Sequence, residues 1–360
     1  MSKTMNPKCI IDILNDDLSV SCESIDFKWI TEEVIKALGG GDIWVKTLSS
    51  GSTTANRILM LFLRRSGRRK ILISEFPHKS ILQAAAEYGI KPVYLKAEYV
   101  EKFEAVLPPS IKTIENEITR NKDAGAVVLV SPTYDLASYR DYRKISELSH
   151  ENGMLLVIDG AWEHPPNLAQ IMREGVDVFI NSVHKMCGAL QGASIMAARM
   201  ENLSPLLSSC YQVETTSPSF PILLSIGLAF KVLREEPGIL DLPEKFIKIL
   251  SEKLKLLGFN FLKQKDLSKE YRLEYRLDPW KIQVATNSIG YSVKKVLEER
   301  FGIVAEKSGM RHLQIIGTFR ELLRCRNEKE LQELAEDVAN RIVLSQEYTS
   351  RLEITTLGSH

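Results

Sequence analysis

The chain has 360 residues, of which 44% are apolar and 26% charged, with a formal net charge of +1. That length suffices for two lobes with a sizeable core, and the balanced charge excludes a polyanion or a membrane surface as the main partner. The one basic run, Arg64-Arg65-Ser66-Gly67-Arg68-Arg69-Lys70, has no aromatic residues interleaved. It reads as a solvated helix end and turn, not as a nucleic-acid contact.

The five cysteines (Cys9, Cys22, Cys187, Cys210, Cys325) are scattered, with no CxxC pair, so a structural zinc site is not expected. No charged-then-apolar signal opens the chain, and the apolar stretch Phe220 to Leu233 is interrupted by Lys231. These features predict a soluble, reduced, cytoplasmic protein.

In chain order, Phe27 to Leu38 is amphipathic and stops at Gly39-Gly40-Gly41. Ile43 to Leu48 reads as a strand, leading through Ser49-Ser50-Gly51-Ser52-Thr53-Thr54 into a helix over Ala55 to Arg65. Strand and helix then alternate: strand Lys70 to Ser74, helix His78 to Tyr88, strand Pro92 to Leu95, helix Ser110 to Arg120, strand Ala126 to Val130. Helix Tyr139 to His150, strand Met154 to Ile158, helix Asn167 to Glu174, and strands Val176 to Ile180 and Ala193 to Ala198 follow. Apolar runs alternating with helices imply an α/β domain around a mainly parallel sheet. A long helix over Phe220 to Arg234 precedes the break at Pro237-Gly238. Beyond it lie a helix (Leu242 to Leu257), a strand (Lys281 to Thr286), a helix (Ser292 to Phe301), strands near Ile303 and at Leu313 to Ile316, and a charged helix from Glu328, a small α+β domain. The expected division is an N-terminal segment (1–42), a large domain (43–236), a small domain (237–350) and a tail (351–360).

Ligands of open α/β sheets gather at the carboxyl ends of the strands. The loops expected there carry Gly51-Ser52-Thr53-Thr54, Pro77-His78-Lys79-Ser80, Asp159-Gly160-Ala161-Trp162 and Ser182-Val183-His184-Lys185. Hydroxyls and N–H groups opening a helix suit a phosphate dianion, although plain N-capping uses the same residues. Asp159, after a run of apolar residues, suits a buried partner for a protonated ring nitrogen, or a helix N-cap. Lys185 places a primary amine where an aldehyde could be held, and His78 an imbedded imidazole where a ring could stack. Together these are the parts of a pyridoxal phosphate site; a metal site is not expected, since no HExxH or comparable ligand spacing exists.

The same loops, with Ala55-Asn56, Ser131-Pro132-Thr133-Tyr134-Asp135, Glu214-Thr215-Thr216-Ser217-Pro218 and Gly302-Ile303-Val304-Ala305-Glu306-Lys307-Ser308-Gly309, resemble the successive motifs of the Orn/Lys/Arg decarboxylase family. These are fold-type I pyridoxal phosphate enzymes related to the aspartate aminotransferase fold. The resemblance covers roughly residues 25 to 320 in order, and implies a three-layer αβα large domain with a small α+β domain. It is to a short form, without the N-terminal regulatory and large C-terminal domains of long members.

The resemblance implies that Lys185 is the Schiff-base lysine, that Asp159 pairs with the pyridinium, that His78 stacks on the ring and that Ala161 packs on its other face. Thr53, Thr54, Ser182 and His184 would hold the phosphate, and Thr215 would reach the phosphate of a neighbouring subunit, making a homodimer. The activity implied is α-decarboxylation of lysine, ornithine or arginine. Lys185 or His78 would return a proton to Cα, and Arg311 reads as a surface arginine or as a partner for a substrate carboxylate. Another reaction of the same cofactor (transamination, elimination or oxidation) and a non-catalytic role are the alternatives. Two departures bear on the substrate: Leu136 stands where the family loop continues with glycine, and Glu163-His164-Pro165-Pro166 is a local variant.

Overall fold

The computed structural model describes residues 28–199 and 204–357. The N-terminal residues through Phe27, with Cys9 and Cys22, and the last three residues lie outside that description. The chain divides into two compact units.

The first unit runs up to Leu95 and includes Lys112–Val130 and Tyr142–Pro237. Its strands are β1 (Trp44–Leu48), β2 (Lys70–Ser74), β3 (Lys91–Leu95), β4 (Ala126–Val130), β5 (Leu155–Asp159), β6 (Val178–Asn181) and β7 (Ser194–Ala198). They form one sheet in the order β1-β7-β6-β5-β4-β2-β3. β3, β2, β4, β5 and β6 run parallel, while β7 is antiparallel to both β6 and β1. Two antiparallel pairings in succession turn β1 back to the direction of β6. The registers align Val130 with Asp159, Asp159 with Ile180, and Ile195 with both Asn181 and Thr47. The carboxyl ends of β1, β4, β5 and β6 therefore share one edge of the sheet.

Helices α1 (Lys28–Ala37), α2 (Gly51–Arg65), α3 (Lys79–Glu87), α4 (Ile111–Arg120), α5 (Arg143–Glu151), α6 (Leu168–Arg173), α7 (Val183–Met186), α8 (Ser204–Val213) and α9 (Phe220–Glu235) complete this part of the chain. Ile58, Leu59, Phe62, Ile71, Val128, Val157 and Ile180 meet in its apolar core. Burial of such side chains stabilises by about 1.5–3 kcal/mol each, and it fixes the strands whose ends carry the polar loops.

The second unit comprises Lys96–Ile111, Ser131–Asp141 and the chain from Gly238 onward. A sheet of Lys281–Ala285, His312–Ile316 and Lys307–Ser308 shares an apolar core with helices Asp241–Leu256, Gly290–Phe301 and Glu328–Leu357. Here the structure departs from the expected single boundary at residue 237. Ala137–Tyr139 pairs antiparallel with Tyr275–Leu277, and Gln283 Nε2 donates to the Phe103 carbonyl over 2.6 Å. Tyr139 is thus the end of a strand and not the start of a helix, and the short hairpin Glu98–Val100 with Ala105–Leu107 also belongs to this unit. No strand forms at Ile303; the pairing begins at Lys307. Local apolar spacing cannot report the pairing of Tyr139 with Tyr275 or the bond of Gln283 to Phe103, because those partners lie more than a hundred residues apart.

Leu136 adopts φ 74° with its side chain buried. This is the left-handed region that a branched residue enters only at a cost, which gives the family's preference for glycine there a backbone reason. Among the described residues no helix is long and apolar enough to cross a membrane.

Candidate active site

Asp159 is the last residue of β5, only 3% exposed. Burial pushes its carboxyl above the usual carboxylate range, opposed by the charge of Lys185, the Ala161 N–H, the charge of His78 and a hydrogen bond from Asn56. The Ala161 N–H donates to Asp159 Oδ1 over 3.2 Å. A carboxylate this buried is costly unless a cation or donor meets it. The donors come from β5's own loop and α2, and the cationic partner from the turn after β6.

That turn places Lys185 in α7, four residues beyond the end of β6. Lys185 Nζ lies 4.3 Å from the centroid of the Trp162 ring, within cation–π range. His78 caps the N-terminus of α3: its Nδ1 accepts from the Ser80 N–H at 3.3 Å and lies 2.7 Å from Ser80 Oγ. Burial holds its imidazole below the ordinary histidine range; Asp159 pulls it back up, while Lys185 and Lys79 push it down. His78, Asp159 and Lys185 thus come from three different strand ends and act on one another through their charges.

The first turn of α2 lies on the same edge. Gly51 opens the helix at φ 78°, with nothing within 4 Å of where a Cβ would stand. Its N–H donates to the Gly192 carbonyl over 2.7 Å. No side chain caps this helix, so its first N–H groups are uncommitted to Ser50. Ser182 Oγ donates to Ser52 Oγ at 3.0 Å, joining the β6 turn to α2. Thr54 donates its hydroxyl proton to the Ser50 carbonyl at 3.2 Å, and Thr53 is exposed. His184 Nδ1 lies 2.8 Å from the Ala193 carbonyl, an acceptor that requires the proton on Nδ1.

The structure therefore brings Thr53, Thr54, His78, Asp159, Ala161, Ser182, His184 and Lys185 to one sheet edge. Thr215 is not among them: it is exposed, and its Oγ1 accepts from the Ser217 N–H at 3.1 Å. Arg311 belongs to the second unit, where it is exposed and its main-chain N–H donates to Glu104. Sequence reasoning assigned no role to Ser52, Asn56, Ser80 or Trp162. Asn56 is buried and donates to Ser80 Oγ at 3.0 Å, linking α2 to the His78 cap. Their signal was positional, one helical turn or one loop residue from a named site, and too weak to read alone. Among the described residues no three His, Cys, Asp or Glu side chains converge to hold a metal ion.

The fold is that of the fold-type I pyridoxal phosphate enzymes. A lysine decarboxylase from Francisella novicida superposes with a TM-score of 0.67 at 19% identity, over 86% of this chain and 50% of that one. An alanine–glyoxylate aminotransferase from Nostoc sp. gives 0.68 at 15% identity, over 88% and 86%. At the level of sequence the match is narrower. The model of the Orn/Lys/Arg decarboxylase major domain matches residues 41–257, and the chain belongs to that family. An arginine decarboxylase of Bacillus subtilis (strain 168) is 27% identical over 263 residues, covering 69% of this chain and 53% of the relative. The constitutive lysine decarboxylase of Escherichia coli (strain K12) is 26% identical over 226 residues, covering 58% and 31%. The chain spans about half the length of the first of these relatives. The family's cofactor is pyridoxal 5′-phosphate.

The residues present fit that cofactor. A buried carboxylate whose ionisation burial opposes matches a group that brings its own ring cation. An uncapped helix start whose Gly51 leaves open space matches a phosphate.

Proposed function

We propose that this chain binds pyridoxal 5′-phosphate at this edge and releases the α-carboxyl group of lysine, ornithine or arginine as CO2. The observation that carries the reading is the placement of Lys185, Asp159 and His78 after three strand ends on one edge of the sheet, inside the segment that matches the family. When bound, the cofactor supplies the electron sink into which the electrons of the broken Cα–carboxylate bond flow. Lys185 would hold the cofactor's aldehyde through its amine. Asp159 keeps the proton on the ring nitrogen by direct charge pairing in a dry setting. His78 and Ala161 would flank the cofactor's ring. Ser52, Thr53, His184 and the first N–H groups of α2, including that of Thr54, hold the phosphate, and Ser182 orients Ser52 by donating to its hydroxyl.

The proton returned to Cα comes from Lys185 in this reading. Burial holds the His78 imidazole below its ordinary range, whereas the Lys185 amine lies over the Trp162 ring, 4.3 Å from its centroid. The active assembly is a homodimer in which Thr215, exposed on the single chain, serves the partner's phosphate. A cytoplasmic setting suits the free thiols of Cys187, Cys210 and Cys325.

The test uses protein loaded with pyridoxal phosphate and a panel of carboxyl-labelled lysine, ornithine and arginine, with CO2 and the matching diamine or agmatine read together. Stoichiometric CO2 and amine from one of the three is the expected result. Keto acid formed without CO2 would replace decarboxylation by transamination.

A further inference from the structure

We infer that Asn181 is a positioning residue, which ties the loop following Asp159 to the turn carrying Lys185. The inference rests on the reading of those two residues as the cofactor's partners. Asn181 is the last residue of β6 and is 0% exposed. Its amide nitrogen donates to two carbonyls of one loop, Gly160 at 2.8 Å and Glu163 at 3.0 Å. Its Oδ1 takes the thiol of Cys187 at 3.8 Å, two residues beyond Lys185. One side chain thus joins three stretches of backbone: the end of β6, the loop of Gly160 to Glu163, and the start of the segment after α7.

The chemistry needs this residue type. Only a side-chain amide offers two N–H donors and an acceptor in one plane. Aspartate would set a carboxylate against two carbonyl oxygens, serine has a single proton, and glutamine is longer by a methylene. The same loop is also held by Gly160 N–H to the Ile180 carbonyl and Glu163 N–H to the Gly160 carbonyl, both 2.9 Å. Within it lie Ala161, whose N–H meets Asp159, and Trp162, which underlies the Lys185 amine.

The unusual Glu163-His164-Pro165-Pro166 stretch now has a place. Glu163 turns its carboxylate inward, 1% exposed, to accept from Asn167 Nδ2 at 2.6 Å and from the His164 N–H at 3.3 Å. Its main-chain carbonyl is left to Asn181. Loosening this clamp would move the Asp159 donor and the Trp162 face together, and displacements near 1 Å at such a site cost about 10²-fold.

The experiment compares wild type, Asn181→Leu, Asn181→Ser and the control Ser149→Ala, each loaded with pyridoxal phosphate. Ser149 is equally buried and loses one hydrogen bond, to Ile145, away from the sheet edge. The readouts are cofactor affinity by visible titration, the visible circular dichroism of the bound cofactor, and the pH midpoint of its absorbance band. The expected result is affinity weakened tenfold or more, with altered dichroism and a shifted midpoint, in the Asn181 variants but not in Ser149→Ala. Should Asn181→Leu fail to fold, Asn181→Ser decides. Asn181 variants with wild-type dichroism and midpoint overturn the clamp, whatever happens to their melting temperature. A wild type that takes up no cofactor on Lys185, shown by borohydride trapping and mass analysis, overturns the underlying reading instead, and the clamp with it.

Discussion

Asp159 ends its strand among apolar neighbours, where water cannot solvate a carboxylate, and that burial raises its proton affinity above that of the unfolded chain. The folded, cofactor-free protein therefore loses stability as pH climbs from the unfolded carboxylate range, about 4, through the folded value. Asp159→Asn removes this penalty while withdrawing the partner of the ring nitrogen. The expected outcome at pH 7 is a cofactor-free protein that melts a few degrees higher by calorimetry, with decarboxylation reduced on the order of 10²-fold. His78 has the opposite sign. Its depressed imidazole contributes stability above the unfolded value, about 6.5, which is lost as pH falls through the folded one. His78→Asn keeps an acceptor for the Ser80 N–H and removes the titration, so the acid-side fall in melting temperature should flatten. Lys185 and Asp159 were legible in the sequence because each follows an apolar run. Asn56 and Trp162 were not, since nothing local marks a residue whose partner sits on another strand end.

At the scale of elements, the start of α2 is the part on which cofactor affinity should depend most. Ser182 donates to Ser52, so the Ser52 hydroxyl keeps its own proton to donate, while Thr54 spends its own on Ser50. Ser52→Ala should weaken pyridoxal phosphate binding about tenfold or more, from the ~1.5–3 kcal/mol of a hydrogen bond to a charged group. Thr54→Val should cost less than about threefold, because its N–H remains. Visible titration of both variants checks the contrast. Gly192 supports the same element from the turn before β7, accepting the Gly51 N–H. At φ 93°, with a Cβ placed 3.0 Å from the Ser49 carbonyl, Gly192→Ala should cost roughly 1–3 kcal/mol, read as a lower denaturant midpoint. The helix itself was expected only from Ala55. Its first turn is built of Gly, Ser and Thr, which local patterning assigns to a loop, and the Gly51–Gly192 contact that orders it is tertiary.

At the scale of the molecule, the proposal that Thr215 serves a partner's phosphate predicts a dimer in sedimentation. It also predicts that Thr215→Ala weakens cofactor binding several-fold, while within the single chain the hydrogen bond it removes is the one from the Ser217 N–H. Much of the architecture was readable in advance. Alternating apolar runs define β2 to β7 within a few residues, because strands buried on both faces must be continuously apolar. The gathering of the polar loops on one sheet edge was equally readable, because strand ends are where polar residues can follow such runs. What only the tertiary structure decided is everything that depends on partners distant in sequence. It assigned Ser131–Asp141 to the second unit, turned Tyr139 into a strand residue, spent the Thr54 hydroxyl on its own backbone, and set the Asn181 amide across two carbonyls. Periodicity reports which way a side chain faces; it carries no information about which donor, many residues away, will meet it.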